Sequence, residues 1–234
     1  MTPREAIILA GGRAERLGEA ANGKPKPLVE VGGRPLVAYQ IVRLRMAGVE
    51  RVIIACAAGR GSEFASALEG LGLEIVPIEE PEPLGRGGGI RFAAKELTGR
   101  SAIFAMNGDE LIDVDLGRLY AAHASSGAAA TVTVAPLVSP FGLVELREDG
   151  FISGFSEESR RLSHWVDAGQ YVLEHEALER FPEQGDHERT IFPELAREGR
   201  LYSFRHDGIW LTVNTPKQLR AADEYVATHP DWLS

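Results

Sequence analysis

The chain has 234 residues, 44% of them hydrophobic, enough to bury a substantial core in one large α/β domain spanning residues 1–234. Its 34 acidic residues outnumber 25 basic ones, and the net charge of −9 argues against a nucleic-acid or membrane surface while leaving room for a small polyanion held by local cations. Cys56, the single cysteine, excludes an internal disulfide and reads as a buried structural thiol; with no run near the ~18 apolar residues of a membrane span and no signal-peptide core, a cytoplasmic location is expected.

Taken in order, the apolar run 6–10 predicts a buried strand that breaks into Gly11-Gly12. Dense apolar residues over 35–47, closed by Gly48, predict a helix. Strands are expected at 51–57 and 73–78 with a helix at 63–71 between them, then a Pro-rich loop at 79–85 and a helix at 90–97. Residues 102–106 form the next strand, ending at Asn107-Gly108-Asp109-Glu110. Asp115 is placed to cap a helix at 116–125, and 129–137 is β-branched and strand-like. Short strand-like pieces follow at 143–146, 151–155 and 165–173, then helices at 176–180 and 189–197, a strand at 201–205 and a last helix at 216–226. Alternating strand and helix signals predict a Rossmann-like three-layer α/β/α fold. Its sheet is expected to be mixed and mainly parallel, with a small antiparallel subregion walling a pocket.

Within that frame, two glycines after a buried strand let a ligand approach the backbone, and Arg16 and Lys26 supply positive charge nearby. Asp109 sits just past the carboxyl end of a strand, where open parallel sheets collect ligands. A calcium loop from Asp109 is excluded, because its twelfth position is Tyr120 rather than glutamate. A dinucleotide fingerprint is excluded as well, since Arg13-Ala14 follow Gly12. The histidines 123, 164, 175, 187, 206 and 229 show no metal-ligand spacing and read as structural or exposed, with His164 the exception beside the expected acceptor pocket.

Taken together, Gly11-Gly12 with Arg16-Leu17, Pro25-Lys26-Pro27-Leu28, Pro83-Leu84-Gly85-Arg86-Gly87-Gly88 and Asn107-Gly108-Asp109 resemble the nucleotidyltransferases that make nucleotide sugars, in the short form without a β-helix domain. The resemblance implies transfer of a nucleotidyl group from an NTP to a sugar 1-phosphate or a related phosphorylated metabolite, with release of pyrophosphate and with Mg²⁺ as cofactor. It implies that Leu9, Ala10, Gly11 and Gly12 cradle the nucleotide, that Glu80 and Gly85 meet the base, and that Arg16 and Lys26 hold the phosphates. Asp109 is implied as the metal ligand and as a catalytic residue with Arg16 and Lys26; Gly142, Glu157 and Asp167 are implied at the acceptor. The partners are thus an NTP and a phosphorylated sugar-like molecule, with no nucleic acid or membrane, and homo-oligomer formation stays open.

The chain departs from the family pattern at several positions. Glu158 stands where lysine usually meets the sugar phosphate, with Arg160 or Arg161 as substitutes, and Asp167 stands where asparagine is usual. In Trp210-Leu211-Thr212-Val213-Asn214-Thr215-Pro216, Thr212 replaces the aspartate that usually completes the metal site and Asn214 replaces a glycine. Arg86 stands where threonine or alanine is common. These departures keep a second reading, a non-catalytic nucleotide-sugar-binding regulatory protein. Gly12 to Gly18 also supports a third, a cofactor nucleotidyltransferase similar to molybdopterin guanylyltransferases.

Overall fold

The computed structural model describes residues 2–12, 14–139, 141–156 and 161–229. In chain order the first half contains β1 (Glu5–Leu9), β2 (Glu30–Val31), β3 (Arg34–Pro35), α1 (Leu36–Met46), β4 (Arg51–Ala57), α2 (Gly61–Ala67), β5 (Glu74–Glu80), α3 (Gly85–Ala93), β6 (Ile103–Asn107), β7 (Glu110–Ile112) and α4 (Leu116–Ser126). The second half continues with β8 (Ala130–Val138), β9 (Leu143–Leu146), β10 (Ile152–Ser156), β11 (Arg161–Leu173), α5 (His175–Leu178), α6 (Ile191–Arg197), β12 (Leu201–Arg205), β13 (Trp210–Thr212) and α7 (Pro216–Thr228). Short 3-10 segments at Glu15–Ala21, kinked at Gly18, at Lys26–Leu28 and at His187–Arg189 matter below.

Seven strands form the central sheet in the order β12-β8-β11-β6-β1-β4-β5. Every neighbouring pair is parallel except those of β11, which runs antiparallel to both β6 and β8. The sheet is therefore mixed and mainly parallel, as the sequence implies, with β9–β10, β7–β13 and β2–β3 as small antiparallel pairs beside it.

The core follows from the two-residue alternation of strand side chains. Ala6, Ile8, Val52, Ile54 and Cys56 pack on one face with α1, α2 and α4, whereas Ile7, Ile53 and Ala55 pack on the other with α3, α5 and α6. Helices on both faces leave the central strands apolar on each side, which is why they read as unbroken hydrophobic runs. A third cluster, with Leu17, Val31, Tyr39, Leu111, Val213 and Ala222, fastens α7 and the Glu15–Ala21 turn against the strand ends.

Two elements differ from their sequence expectation for physical reasons. Helix α3 begins at Gly85 and runs through Gly87-Gly88-Gly89, where low glycine propensity predicts loop. Packing overrides propensity, because a Cβ on Gly87 or Gly88 would lie 2.8 Å from the His187 nitrogen or 2.6 Å from the Glu183 carbonyl oxygen. Strand β11 begins at Arg161 and is bulged against β8 between Asp167 and Tyr171. Gly169 in the bulge has a φ of +65°, and a Cβ there would collide with the Glu110 carboxyl group and the Asn107 amide.

Candidate active site

The carboxyl ends of four parallel strands meet at a cavity of about 600 Å³, where Leu9 ends β1, Ala57 ends β4, Glu80 ends β5 and Asn107 ends β6. Outside the carboxyl ends of such strands the connecting loops diverge and leave a crevice. Gly11, Gly12, Lys26, Gly85 and Asp109 line the same cavity. Ala10 lies beneath it, buried, its N–H donating to the Ala55 carbonyl over 2.7 Å.

Lys26 is placed by a 3-10 turn between two prolines, closed by Leu28 N–H to the Pro25 carbonyl at 2.9 Å. Lys26 is 7% exposed, and its ammonium forms an ion pair with Asp109. It also donates to Asn214 Oδ1 over 2.6 Å, and Arg16 donates to that oxygen over 2.9 Å. Asn214 thus joins the two basic residues on one acceptor. Asn214 is itself held at the entrance of α7, where its N–H donates to Gln218 Oε1 at 3.0 Å and Thr215 caps the helix by accepting from the Gln218 N–H.

The turn carrying Asp109 is fixed from below by a residue that sequence spacing does not single out. Gln40 on α1, 3% exposed, donates through Nε2 to the Asn107 carbonyl at 2.7 Å and the Glu110 carbonyl at 2.8 Å. Beside it, the Glu110 carboxyl is buried with the Asn107 and Trp210 side chains as its polar neighbours. Burial, and then the charge of Asp109, hold the Glu110 carboxyl well above the usual carboxylate range. Glu110 and Asn107 line the cavity next to Asp109, so oxygen-bearing side chains flank the Asp109 carboxylate. An all-oxygen set of this kind fits a hard divalent cation, which takes one or two carboxylates and fills its remaining positions with phosphate and water.

Thr212 takes a different place from a free ligand. It pairs with Glu110 across β7–β13, and its Oγ1 accepts from Gln218 Nε2 at 3.0 Å. Glu80 lines the cavity at the end of β5; it is 8% exposed, burial pushes its carboxyl upward, and Leu84 N–H donates to it at 3.2 Å. Arg86 lines the cavity and is engaged by Asp186 and, through both oxygens, by Glu188.

The expected acceptor residues are not gathered at the cavity. Gly142 is exposed and lies against Phe155 and Ser156 at the end of β10. Asp167 does not line the cavity; its oxygens accept from Gly169 N–H at 2.8 Å and Tyr171 Oη at 2.9 Å, and burial pushes its carboxyl up to about 6. Arg86 opposes that push, so the two departures from the family pattern, Arg86 and Asp167, face each other in one network. Glu157, Glu158 and Arg160 lie outside the described residues.

A family model described as nucleotidyl transferase matches residues 5–229, nearly the whole chain. The chain belongs to the nucleotidyl transferase family. The chain is 31% identical over 220 residues to the mannose-1-phosphate guanylyltransferase catalytic subunit beta of Drosophila pseudoobscura pseudoobscura, covering 91% of this chain and 59% of that protein. It is likewise 31% identical over 223 residues to a mannose-1-phosphate guanylyltransferase of Mycobacterium tuberculosis, covering 91% of this chain and 62% of the relative. The chain therefore spans about three fifths of the length of these curated relatives. Its fold is shared with a solved putative glucose-1-phosphate thymidylyltransferase from Bacillus anthracis, at a TM-score of 0.76 and 18% identity, over 94% of each chain. Among the described residues, no helix is long and apolar enough to cross a membrane.

Proposed function

We propose that this nucleotidyl transferase joins an NTP to a sugar 1-phosphate and releases pyrophosphate, with GTP and a mannose-type hexose 1-phosphate as the leading substrate pair. The observation that carries the reading is the meeting of Lys26, Asp109 and Asn214 beside Gly11-Gly12 at the carboxyl ends of four parallel strands. The names of the curated relatives support the choice of GTP and mannose 1-phosphate.

In the reaction, an oxygen of the sugar phosphate forms a bond to the α-phosphorus, and the bond from that phosphorus to the bridging oxygen of the β-phosphate breaks. Pyrophosphate takes the electron pair. Little covalent work falls to the protein, which has to align the groups and offset their charge. The exposed backbone at Gly11 and Gly12 receives the triphosphate. Arg16, already directed at Asn214, grips the outer phosphates. Lys26 exchanges Asp109 for an α-phosphate oxygen and meets the charge that grows there. Asn214 holds Lys26 and Arg16 in reach of the same polyanion throughout. Mg²⁺, when bound by Asp109 with Glu110 and Asn107 as the adjacent oxygen donors, supplies charge neutralisation and orientation of the phosphates. Glu80 and Gly85 border the base, and Gly142, Glu157 and Asp167 remain the acceptor candidates. An NTP-dependent reaction of this kind belongs in the cytoplasm.

One observation favours the non-catalytic reading: Thr212 stands in place of a carboxylate and spends its hydroxyl oxygen on Gln218. A pyrophosphate-release screen of GTP, ATP, CTP, UTP and dTTP against sugar 1-phosphates, in Mg²⁺ and in Mn²⁺, separates the two. Turnover with at least one pair, abolished in Lys26→Ala and Asp109→Ala, is expected. Tight nucleotide-sugar binding with no turnover across the panel would select the regulatory reading instead.

A further inference from the structure

The β11 bulge, which packs against Glu110, and the His187–Arg189 turn bring three potential metal ligands together. Asp167, His187 and Glu188 each present a ligand atom, all within 4.8 Å of one another. His187 is completely buried, and neither of its ring nitrogens has a hydrogen-bond partner. Its ring is wedged among aromatic side chains, with centroids 4.6 Å from Phe192 and 5.1 Å from Tyr171, both edge-on, so the imidazole cannot swing out to water without opening that packing. A buried polar group without a partner is unfavourable, and a fold that keeps one has a use for its lone pair.

We propose that Asp167, His187 and Glu188 form a binding site for a borderline divalent transition metal, with Zn²⁺ as the reference ion and with ligands other than those proposed for the cation at Asp109. One imidazole nitrogen and two carboxylate oxygens are a donor set that suits such an ion, and three protein ligands leave a fourth position open. Metal binding needs an imidazole lone pair, which a partnerless ring nitrogen of the buried His187 offers. Asp167 is aimed by outer partners, Tyr171 Oη at 2.9 Å and Gly169 N–H at 2.8 Å, and each of its oxygens keeps a further lone pair. The surrounding charges leave room for a cation: Asp167, Asp186 and Glu188 face Arg86, which is bonded to the last two. Glu188 receives the Arg86 guanidinium on both oxygens, and each of these too keeps a further lone pair for an ion. Sequence spacing hides it, since Asp167 and His187 lie on different elements.

The test is Co²⁺ titration of the full, metal-stripped chain, followed in the visible ligand-field region, with Zn²⁺ used to displace the cobalt. Wild type and Asp109→Asn are expected to develop the bands and to lose them to Zn²⁺. His187→Phe, which keeps an aromatic ring in the packing, and Glu188→Gln are expected to weaken Co²⁺ binding by about tenfold or more. If His187→Phe does not melt cooperatively, Glu188→Gln and Asp167→Asn decide the matter. The proposal is overturned by absent bands, by bands that persist undiminished in the correctly folded variants, or by bands that vanish in Asp109→Asn alone.

Discussion

At the scale of single residues, Asn214 is the shared support of the cationic half of the site. Its Oδ1 accepts from both Lys26 and Arg16, so truncation leaves two cations without their common tether. Asn214→Ala is expected to lower kcat/KM for the NTP by about tenfold or more, an effect smaller than that of Lys26→Ala, for which loss of a charge-stabilising donor costs about 100-fold or more. Steady-state kinetics on both variants check the order; an Asn214→Ala enzyme with unchanged NTP kinetics would remove it from the site. Cys56 behaves oppositely, as a group with no chemical part. It is fully buried in β4 and donates to the Ile78 carbonyl at 3.3 Å, and burial followed by the charges of Glu79 and Glu80 pushes its thiol up to about 11. The unfolded chain loses that proton near 9 and the native state only near 11, so the native state is penalised as pH rises between those values. The loss amounts to roughly 2 to 3 kcal/mol. Cys56→Ala should flatten the decline of chemical-denaturation stability from pH 9 to 11 relative to wild type; parallel curves would contradict the assignment.

At the scale of elements, the β7–β13 pair decides what Thr212 does. Its position opposite the buried Glu110 means that Thr212→Asp sets two carboxylates side by side, which destabilises the pair when no cation is present. The variant is expected to melt lower than wild type in EDTA and to show a larger Tm gain on adding Mn²⁺. An equal Mn²⁺ response in the two proteins would mean that position 212 does not face the cation. Helix α3 shows the same dominance of packing over local preference. Gly88→Ala raises helix propensity yet drives a Cβ into the Glu183 carbonyl, so a loss of about 1 to 3 kcal/mol is expected, read as a lower melting temperature. Most elements were legible in the sequence because buried strands and capped helices carry their own signals; Asp115 caps α4 as its position implies, accepting from Arg118 N–H at 2.9 Å. The start of α3 and the bulge of β11 were not, since close approach to residues 183–187 and to Glu110 exists only in the assembled fold.

Across the whole molecule, the site is an edge property of the sheet. Strands β1, β4, β5 and β6 run parallel and end together, so residues from distant parts of the chain reach one cavity with little rearrangement. Gly11, Gly12, Lys26, Gly85 and Asp109 were readable because each lies in a local motif next to a strand end. Asn214, Gln40 and Glu110 were not, because their importance comes from partners 188, 67 and 70 positions away, or from burial beside Asp109. The proposed role of Lys26 and Asp109 is to serve one nucleotidyl transfer at this edge. It is tested most directly by following the two ends of GTP separately, with α-labelled and γ-labelled nucleotide offered with mannose 1-phosphate and Mg²⁺. The α-label is expected in a nucleotide sugar and the γ-label in pyrophosphate, with both transfers lost in Lys26→Ala and Asp109→Ala. Undiminished transfer in both variants, or an α-label that never leaves GTP with any sugar 1-phosphate, would contradict it.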